Sequence, residues 1–256
     1  MEERSNGGGT QAIQRASMLL RLLARRVPHG TRLGALSKMS GLPHPTVRRI
    51  LKCLIDERLV VQEGDTRHYR LGPLNFELGL ASQHRLDVRD RYRPVLDNVA
   101  RATGQTSYLF LRSGAEVVCL DRVEGSSVDS VATLKVGGRR PLGFSAASIV
   151  LFCEFSDDDI NAYLEDVGRE IESNPRVTRE SIMRNIRKAR EAGFGVIRDT
   201  TALGISAIGV AIPESLDVSP LAISVTAIND FWSQERLHQV HGTILSALKL
   251  ARDEAA

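Results

Sequence analysis

TRLGALSKMSGLPHPTVRRILKCLIDERLVVQEGDTRHYR, residues 31–70, carries the most readable chemistry in the chain. Leu33, Leu36 and Met39 fall at helical spacing behind Thr31, whose side-chain oxygen suits an N-cap. Gly41 suits the left-handed position that ends such a helix. Pro43 and Pro45 bracket a restart, since proline loses nothing in a first turn. The second helix aligns Val47, Ile50, Leu51 and Leu54 on one stripe. Its opposite face carries Pro45, Arg49, Lys52 and Asp56, flanked by Thr46 and Arg48. Two helices joined by a short turn holding a glycine predict a helix-turn-helix, whose second helix enters the DNA major groove.

Outward from that pair, Leu59 to Gln62 reads as a short strand, Glu63 to Thr66 as a turn, and Arg67 to Leu71 as a basic return strand. This is the wing of a winged helix, and it brings Arg67 and Arg70 within reach of phosphates. An ordinary helical hairpin with a solvated basic face is the plainer alternative. The order helix, turn, basic helix, basic hairpin favours DNA.

Charge agrees. Residues 1–72 hold 13 Lys/Arg against 6 Asp/Glu, a balance of +7, while the remainder holds 21 against 25, or −4. The overall +3 hides this concentration, which is the footprint that phosphate binding requires. At 256 residues, 42% hydrophobic and 25% charged, the chain suits two globular domains. Three cysteines, Cys53, Cys119 and Cys153, show no C-x-x-C spacing, which argues against a disulfide framework or thiolate metal site and for a reducing, cytoplasmic setting. No apolar run is long enough for a membrane span, and the N-terminus lacks an apolar signal core.

Residues 1–9, ending in three glycines, read as a disordered arm. Thr10 caps a helix running to about residue 26, with Ile13, Ala16, Leu19, Leu20 and Leu23 on one face. Beyond Pro73, Phe76, Leu78 and Leu80 form an apolar helix face, and residues 83–85 suggest a connection. The next helix turns Val95, Leu96 and Val99 inward, has Pro94 near its first turn, and ends at Gly104. Residues 106–112, 116–122 and 128–136 have strand composition. The segment from Gly137 to Ser148 reads as a turn followed by a helix of small residues, leaving room for a backbone or a ligand. Ser156 and Asp159 approximate a capping box, a better reading of that acidic cluster than a metal site. Thr178 starts a helix that Gly193 closes. Residues 195–198, 203–213 and 221–227 complete the strands, and Ser233 caps a final amphipathic helix. His238 and His241 are helix neighbours without a third candidate ligand, so they read as surface or interface histidines.

The chain resembles the IclR-type transcriptional regulators, named for the isocitrate lyase regulator. The resemblance is carried by Leu36–Pro43 as LSKMSGLP, Thr46–Leu51 as TVRRIL, Tyr69–Pro73 as YRLGP, and Leu78-Gly79. It extends through the Gly137–Ser148 stretch and the strand from Leu203 to Pro213. Pro45 stands where the family usually has serine, and Ser148 where it usually has glycine. Pattern and resemblance together imply an α+β two-domain protein. Its parts are the arm, a winged helix-turn-helix over 10–72, a linker helix over 73–88, and an effector-binding domain over 89–256. That last domain is expected to be an antiparallel sheet with flanking helices, GAF/PAS-like.

The expected DNA-facing set is Ser37, Lys38, His44, Pro45, Thr46, Arg48, Arg49 and Lys52, with Arg67 and Arg70 from the wing. The resemblance implies an effector site beside Gly138, Leu142, Phe144, Ser145, Ala146 and Ala147. Facing these it expects Asp199, Ala207, Ile208, Ser224 and Thr226. Backbone N–H groups near Ser145–Ala147 offer an anion a helix start. The implied partners are operator DNA, a small organic acid or aromatic metabolite, and a second copy of the chain, with tetramers as the family's further assembly. No catalytic set, metal ligands or cofactor motif emerges. The rival readings are a metabolite-processing enzyme with a DNA-binding appendage and a non-sensing architectural DNA-binding protein.

Overall fold

The structure, a computed structural model, describes residues 8–25, 29–81, 86–168, 171, 174–213 and 220–253. The chain divides into two compact units between residues 84 and 85. That division falls inside the stretch expected to be a linker helix.

The first unit runs α1 (Gly8–Ala24), α2 (Leu33–Ser40), α3 (His44–Asp56), β1 (Val60–Gln62), β2 (Tyr69–Leu71) and α4 (Pro73–Ala81). The spacing that predicts α2 and α3 also builds their core. Leu36, Val47, Leu51 and Leu54 are buried with Leu19 and Leu23 of α1. Gly41 closes α2 at φ 68, and Pro43 is the N-cap position of α3. Two details differ from expectation. Gly8 and Gly9 belong to the first turn of α1 rather than to an arm; residues 1–7, residue 26 and the connection 83–85 lie outside the described residues. Thr31 does not cap α2, whose N-cap is Arg32 without a side-chain bond. Its N–H and C=O instead pair with Tyr69 at 3.0 and 2.9 Å, adding a bridge to the β1–β2 wing. A backbone pair of this kind satisfies two groups where a cap satisfies one.

The second unit is a six-stranded antiparallel sheet in the order β5-β4-β3-β8-β7-β6, with helices on both faces. Its strands are β3 (Thr106–Ser113), β4 (Glu116–Val123), β5 (Arg139–Pro141), β6 (Gly195–Arg198), β7 (Ile205–Ala211) and β8 (Leu221–Ile228). Its helices are α5 (Leu86–Thr103), α6 (Ala146–Phe152), α7 (Asp157–Asp166), α8 (Arg179–Ala192) and α9 (Gln234–Asp253). Strand alternation sorts the side chains into two cores. Tyr108, Phe110, Ala207 and Ala222 pack with α6, α7 and α8, while Ile208, Val210, Ile223 and Val225 pack with α5 and α9. The expected α+β architecture is therefore the observed one.

Caps follow the sequence signals. Ser156 Oγ accepts from the Asp159 N–H, Thr178 and Ser181 form a reciprocal capping box, and Ser233 Oγ accepts from the Arg236 N–H. Pro94 lies well inside α5 rather than near its start, on an exposed side. The third expected strand, 128–136, is a loop with one bridge, Ser130 to Ala227. Its carbonyls are taken by arginines instead of a neighbouring strand: Arg140 donates to Thr133 O at 2.9 Å and Arg122 to Leu134 O at 3.0 Å.

Candidate functional site

In the first unit, α3 presents His44, Pro45, Arg48, Arg49 and Lys52 to solvent, with Thr46 half-buried beside Val47. Lys38 of α2 is exposed as well. One helix face is thus free, basic and backed by a packed stripe, the form a recognition helix needs. Ser37 differs from its expected role: its hydroxyl donates to Leu42 O at 2.6 Å, so it stabilises the turn between the two helices. In the wing, Arg67 is exposed and adopts φ 53, while Arg70 is half-buried and tied to Glu63 at 2.7 Å. Arg67 is the freer of the two for a phosphate. Arg70 also packs over Gly30, where an added Cβ would approach its side chain to 2.8 Å.

In the second unit, the alternation of β3, β7 and β8 brings Ala207, Ser224 and Thr226 to one face, and α6 lays Ser145 and Ala146 across it. Between them is a narrow cavity of about 10 Å³. Its other walls are Tyr108 and Phe110 of β3, Thr133 of the 128–136 loop, Arg140 of β5, Ile197 of β6 and Thr201. Sequence reasoning misses these six. Tyr108 and Phe110 are two apart in a strand, so they share a face, and their rings stack at 5.7 Å.

Arg140 gives the cavity its chemistry. Its guanidinium donates to Thr133 O, and no carboxylate among the described residues pairs with it. Burial lowers its pKa from the ordinary arginine value, against weak opposing contributions from Tyr108 and Cys119. A half-buried cation without a carboxylate partner favours an anion that can pair with it. Around it stand hydroxyls: Tyr108 Oη accepts from the Thr133 N–H at 2.8 Å, and Ser224 Oγ donates to Ile208 O at 2.7 Å.

Several expected site residues lie elsewhere, each for a local reason. Ile208 follows Ala207 in β7 and so points into the opposite core, among α5 and α9. Leu142, Phe144 and Ala147 are packed in the α6-side core and do not line the cavity. Gly138 closes a turn, with its N–H on Lys135 O, and has no room for a Cβ beside Leu134. Asp199 sits at φ 54 in the β6–β7 connection, where its carboxylate accepts from the Gly204 N–H at 2.7 Å and from Asn229 Nδ2 at 3.0 Å. It shapes that turn rather than facing a ligand. Of the expected anion cradle at the start of α6, the Ser145 N–H is committed to Ser148 Oγ, and the Ser148 N–H behind it to Ser145 Oγ.

His238 and His241 both pack on Phe194, at 5.6 and 4.8 Å between ring centroids. No group of three potential metal ligands occurs among the described residues. The three cysteines are free, and no described helix is long and apolar enough to cross a membrane.

The chain matches the family model for the C-terminal domain of IclR bacterial transcriptional regulators over residues 80–251. It matches the IclR helix-turn-helix model over residues 12–64. The HTH-type transcriptional regulator TtgV of Pseudomonas putida is 29% identical over 223 residues, 87% of this chain and 84% of TtgV. The crystal structure of an IclR family transcriptional regulator from Brucella abortus superimposes with a TM-score of 0.78 at 19% identity, covering 99% of this chain and 95% of that one. An IclR homologue from Microbacterium hydrocarbonoxydans, crystallised with 4-hydroxybenzoate, superimposes with a TM-score of 0.66 at 18% identity, covering 94% and 99%.

Proposed function

The chain belongs to the IclR family of transcriptional regulators, and from that premise we propose that a small organic acid bound in the second unit modulates its binding to operator DNA. It is a regulator, not an enzyme. The observation that carries the effector reading is Arg140, a half-buried cation with no carboxylate partner among the described residues, in a cavity rimmed by hydroxyls. A carboxylate pairs with Arg140, an aromatic or aliphatic body meets Tyr108, Phe110 and Ile197, and a distal hydroxyl meets Ser224 or Thr226. Aromatic acids suit this mixture, and 4-hydroxybenzoate in the Microbacterium homologue belongs to that chemical class. The cavity is far smaller than any metabolite, so binding entails an opened conformation. The effector acts by favouring that conformation over the closed one.

DNA contacts fall to the exposed face of α3, Lys38 and Arg67. Isolated winged helices read few base pairs, so a two-fold dimer on a pseudo-palindromic operator is the assembly we propose. Ile13 is 69% and Phe76 70% exposed, apolar side chains on the first unit that a second copy can cover. A regulator of this kind acts where the DNA is, in the cytoplasm.

The test is thermal denaturation of the full chain against a panel of small carboxylic acids and their amides, repeated with Arg140→Met. An acid that binds only the native state raises the midpoint by mass action. The acid should stabilise the wild type, its amide should not, and Arg140→Met should lose the response. An Arg140→Met protein that responds like wild type would remove Arg140 from the site. The same acid must then alter operator affinity.

A further inference from the structure

A second concavity lies on the other side of β6. It is about 480 Å³, within the range of metabolite sites and much larger than the cavity beside α6. One wall is the face of α8 that carries Arg184 and Lys188, four residues apart and both exposed. Arg176, just before α8, and Arg198, at the end of β6, add two more exposed cations. Among the described residues no carboxylate lines the groove, and none of these four arginine and lysine side chains is in an ion pair. Glu180, one turn before Arg184, is held at the helix start by its own backbone N–H and Thr178, and with Arg179 and Arg184 nearby these keep its pKa low. Glu180 thus offsets Arg184 in part, and the four like charges around one concavity still favour an added counter-charge.

Two more features suit an anion. Gln234, which lines the groove, is the first residue of the 20-residue helix α9, so that helix's positive end lies at the groove, with Glu235 beside it in the first turn. β6 is the edge strand of the sheet and has backbone donors on its outer side. Phe194, Val196 and Leu237 supply an apolar floor.

We propose that this groove is a second ligand site, for a metabolite-sized anion carrying two or more negative charges, such as a polycarboxylate or a phosphorylated compound. The site is distinct from the α6 cavity but shares its strand. Val196, Arg198 and Thr200 line the groove, while Ile197 and Thr201 line the cavity. A ligand that fixes one face of β6 therefore bears on the wall of the other.

The test is isothermal titration of the full chain with citrate and, separately, pyrophosphate, at constant ionic strength set by sodium chloride. Nitrate, a monoanion without a carboxylate or a ring, serves as the control. One saturable site per chain is expected for citrate, pyrophosphate or both, at least tenfold tighter than for nitrate. Arg184→Ala combined with Lys188→Ala should weaken it at least tenfold; both side chains are exposed, and circular dichroism checks the fold. Arg184→Lys combined with Lys188→Arg should restore most of the affinity. Arg49→Ala, in the first unit, should leave it unchanged. Absence of saturable binding with both probes would overturn the proposal. So would equal binding by the Ala double variant, nitrate binding as tight as citrate, or loss of binding on Arg49→Ala, which would assign the anion to the DNA-binding face.

Discussion

Ser145 and Ser148 hold each other's backbone: Ser145 Oγ accepts from the Ser148 N–H at 3.2 Å, and Ser148 Oγ accepts from the Ser145 N–H at 2.9 Å. Ser148 Oγ also accepts from the Gly143 N–H at 3.0 Å and donates to Ser145 O at 2.7 Å. One hydroxyl thereby uses both lone pairs and its proton. This accounts for a serine where the family pattern carries glycine. It fixes the turn from β5 into α6, and so sets Ser145 and Ala146 against the cavity.

Ser148→Ala should therefore strand two buried N–H groups, at a cost of about 2 kcal/mol or more. Ser148→Gly should cost about 1 kcal/mol beyond that, because glycine is also poor inside a helix. Urea unfolding followed by the single tryptophan, Trp232, reports on the second unit, where it is buried. A Ser148→Gly protein as stable as wild type would contradict this account of the turn.

Gly209 tests the other contact that seats α6. A Cβ built on Gly209 would lie 2.4 Å from the Ala146 carbonyl carbon and oxygen and 2.6 Å from the Ala147 N. Backbone cannot give way as a side-chain tip can. Gly209→Ala should cost about 3 kcal/mol through overpacking, read from the shift in urea midpoint. A shift below a third of that would mean α6 moves off the sheet cheaply.

The legible parts of the chain are those whose logic is local. The α2–α3 pair is set by a stripe every three or four residues and by Gly41. The wing is set by one turn between adjacent strands. Ser224 and Thr226 are legible as a shared face because a strand alternates. Arg140, Tyr108, Phe110 and Thr133 are not, because the cavity forms only when β3 pairs with β8, placing Tyr108 opposite Ser224 across more than a hundred residues of chain. Ile208 shows the same limit from the other side: its neighbour Ala207 faces the cavity, and a single step along the strand reverses the side chain. In sequence Asp199 reads as a ligand-facing acid because its partners, Gly204 and Asn229, are recognisable only once the β6–β7 turn is closed. The loop at 128–136 has strand composition, but Arg122 and Arg140 supply the donors a neighbouring strand would have supplied.

On the DNA side, Arg49 and Arg70 should behave differently. Arg49 is exposed on α3 opposite the buried stripe, so Arg49→Ala should weaken operator binding about tenfold with no loss of fold. Arg67→Ala should reduce the salt dependence of binding by about one counterion. Arg70, bound to Glu63, should show a smaller change in salt slope than Arg67 and a larger loss of wing stability. Fluorescence anisotropy over a salt series separates the three. Identical slopes for the two wing variants would contradict the assignment.

Thiol chemistry gives a pH prediction for the second unit. Burial pushes the Cys119 thiol up to about 12, and burial also raises Cys153. Above the ordinary thiol range of about 8.5 the unfolded chain releases the Cys119 proton while the folded chain keeps it. Stability is therefore fully present below that range and falls as pH rises toward 12. Cys119→Ala should flatten this alkaline decline, apart from what the remaining thiols and other groups contribute. In native protein at mildly alkaline pH, a thiol-disulfide reagent should modify exposed Cys53 first, Cys153 more slowly and Cys119 only on unfolding. Rapid Cys119 modification in folded protein would show that the sheet opens readily there.

Tyr108 and Arg140 together secure Thr133 over the cavity, one by accepting from its N–H and the other by donating to its C=O. The 128–136 loop lacks strand pairing apart from the Ser130 bridge, so these two bonds are its main tether at that point. A cavity of about 10 Å³ admits no metabolite while the tether is closed. Tyr108→Phe removes only the hydroxyl and keeps the ring stacked on Phe110. It should cost about 1 kcal/mol of global stability, yet speed amide exchange across residues 130–135 by about fivefold or more, because local opening then breaks one bond fewer. An organic acid that binds this cavity should associate faster with Tyr108→Phe than with wild type, since the open conformation is more populated before binding. Its dissociation should also quicken if the Thr133 tether re-forms over the bound ligand. Unchanged exchange in the loop together with an unchanged association rate would mean that the cavity opens elsewhere, and the wall formed by Ile197 and Thr201 on the β6 side would be the next to test.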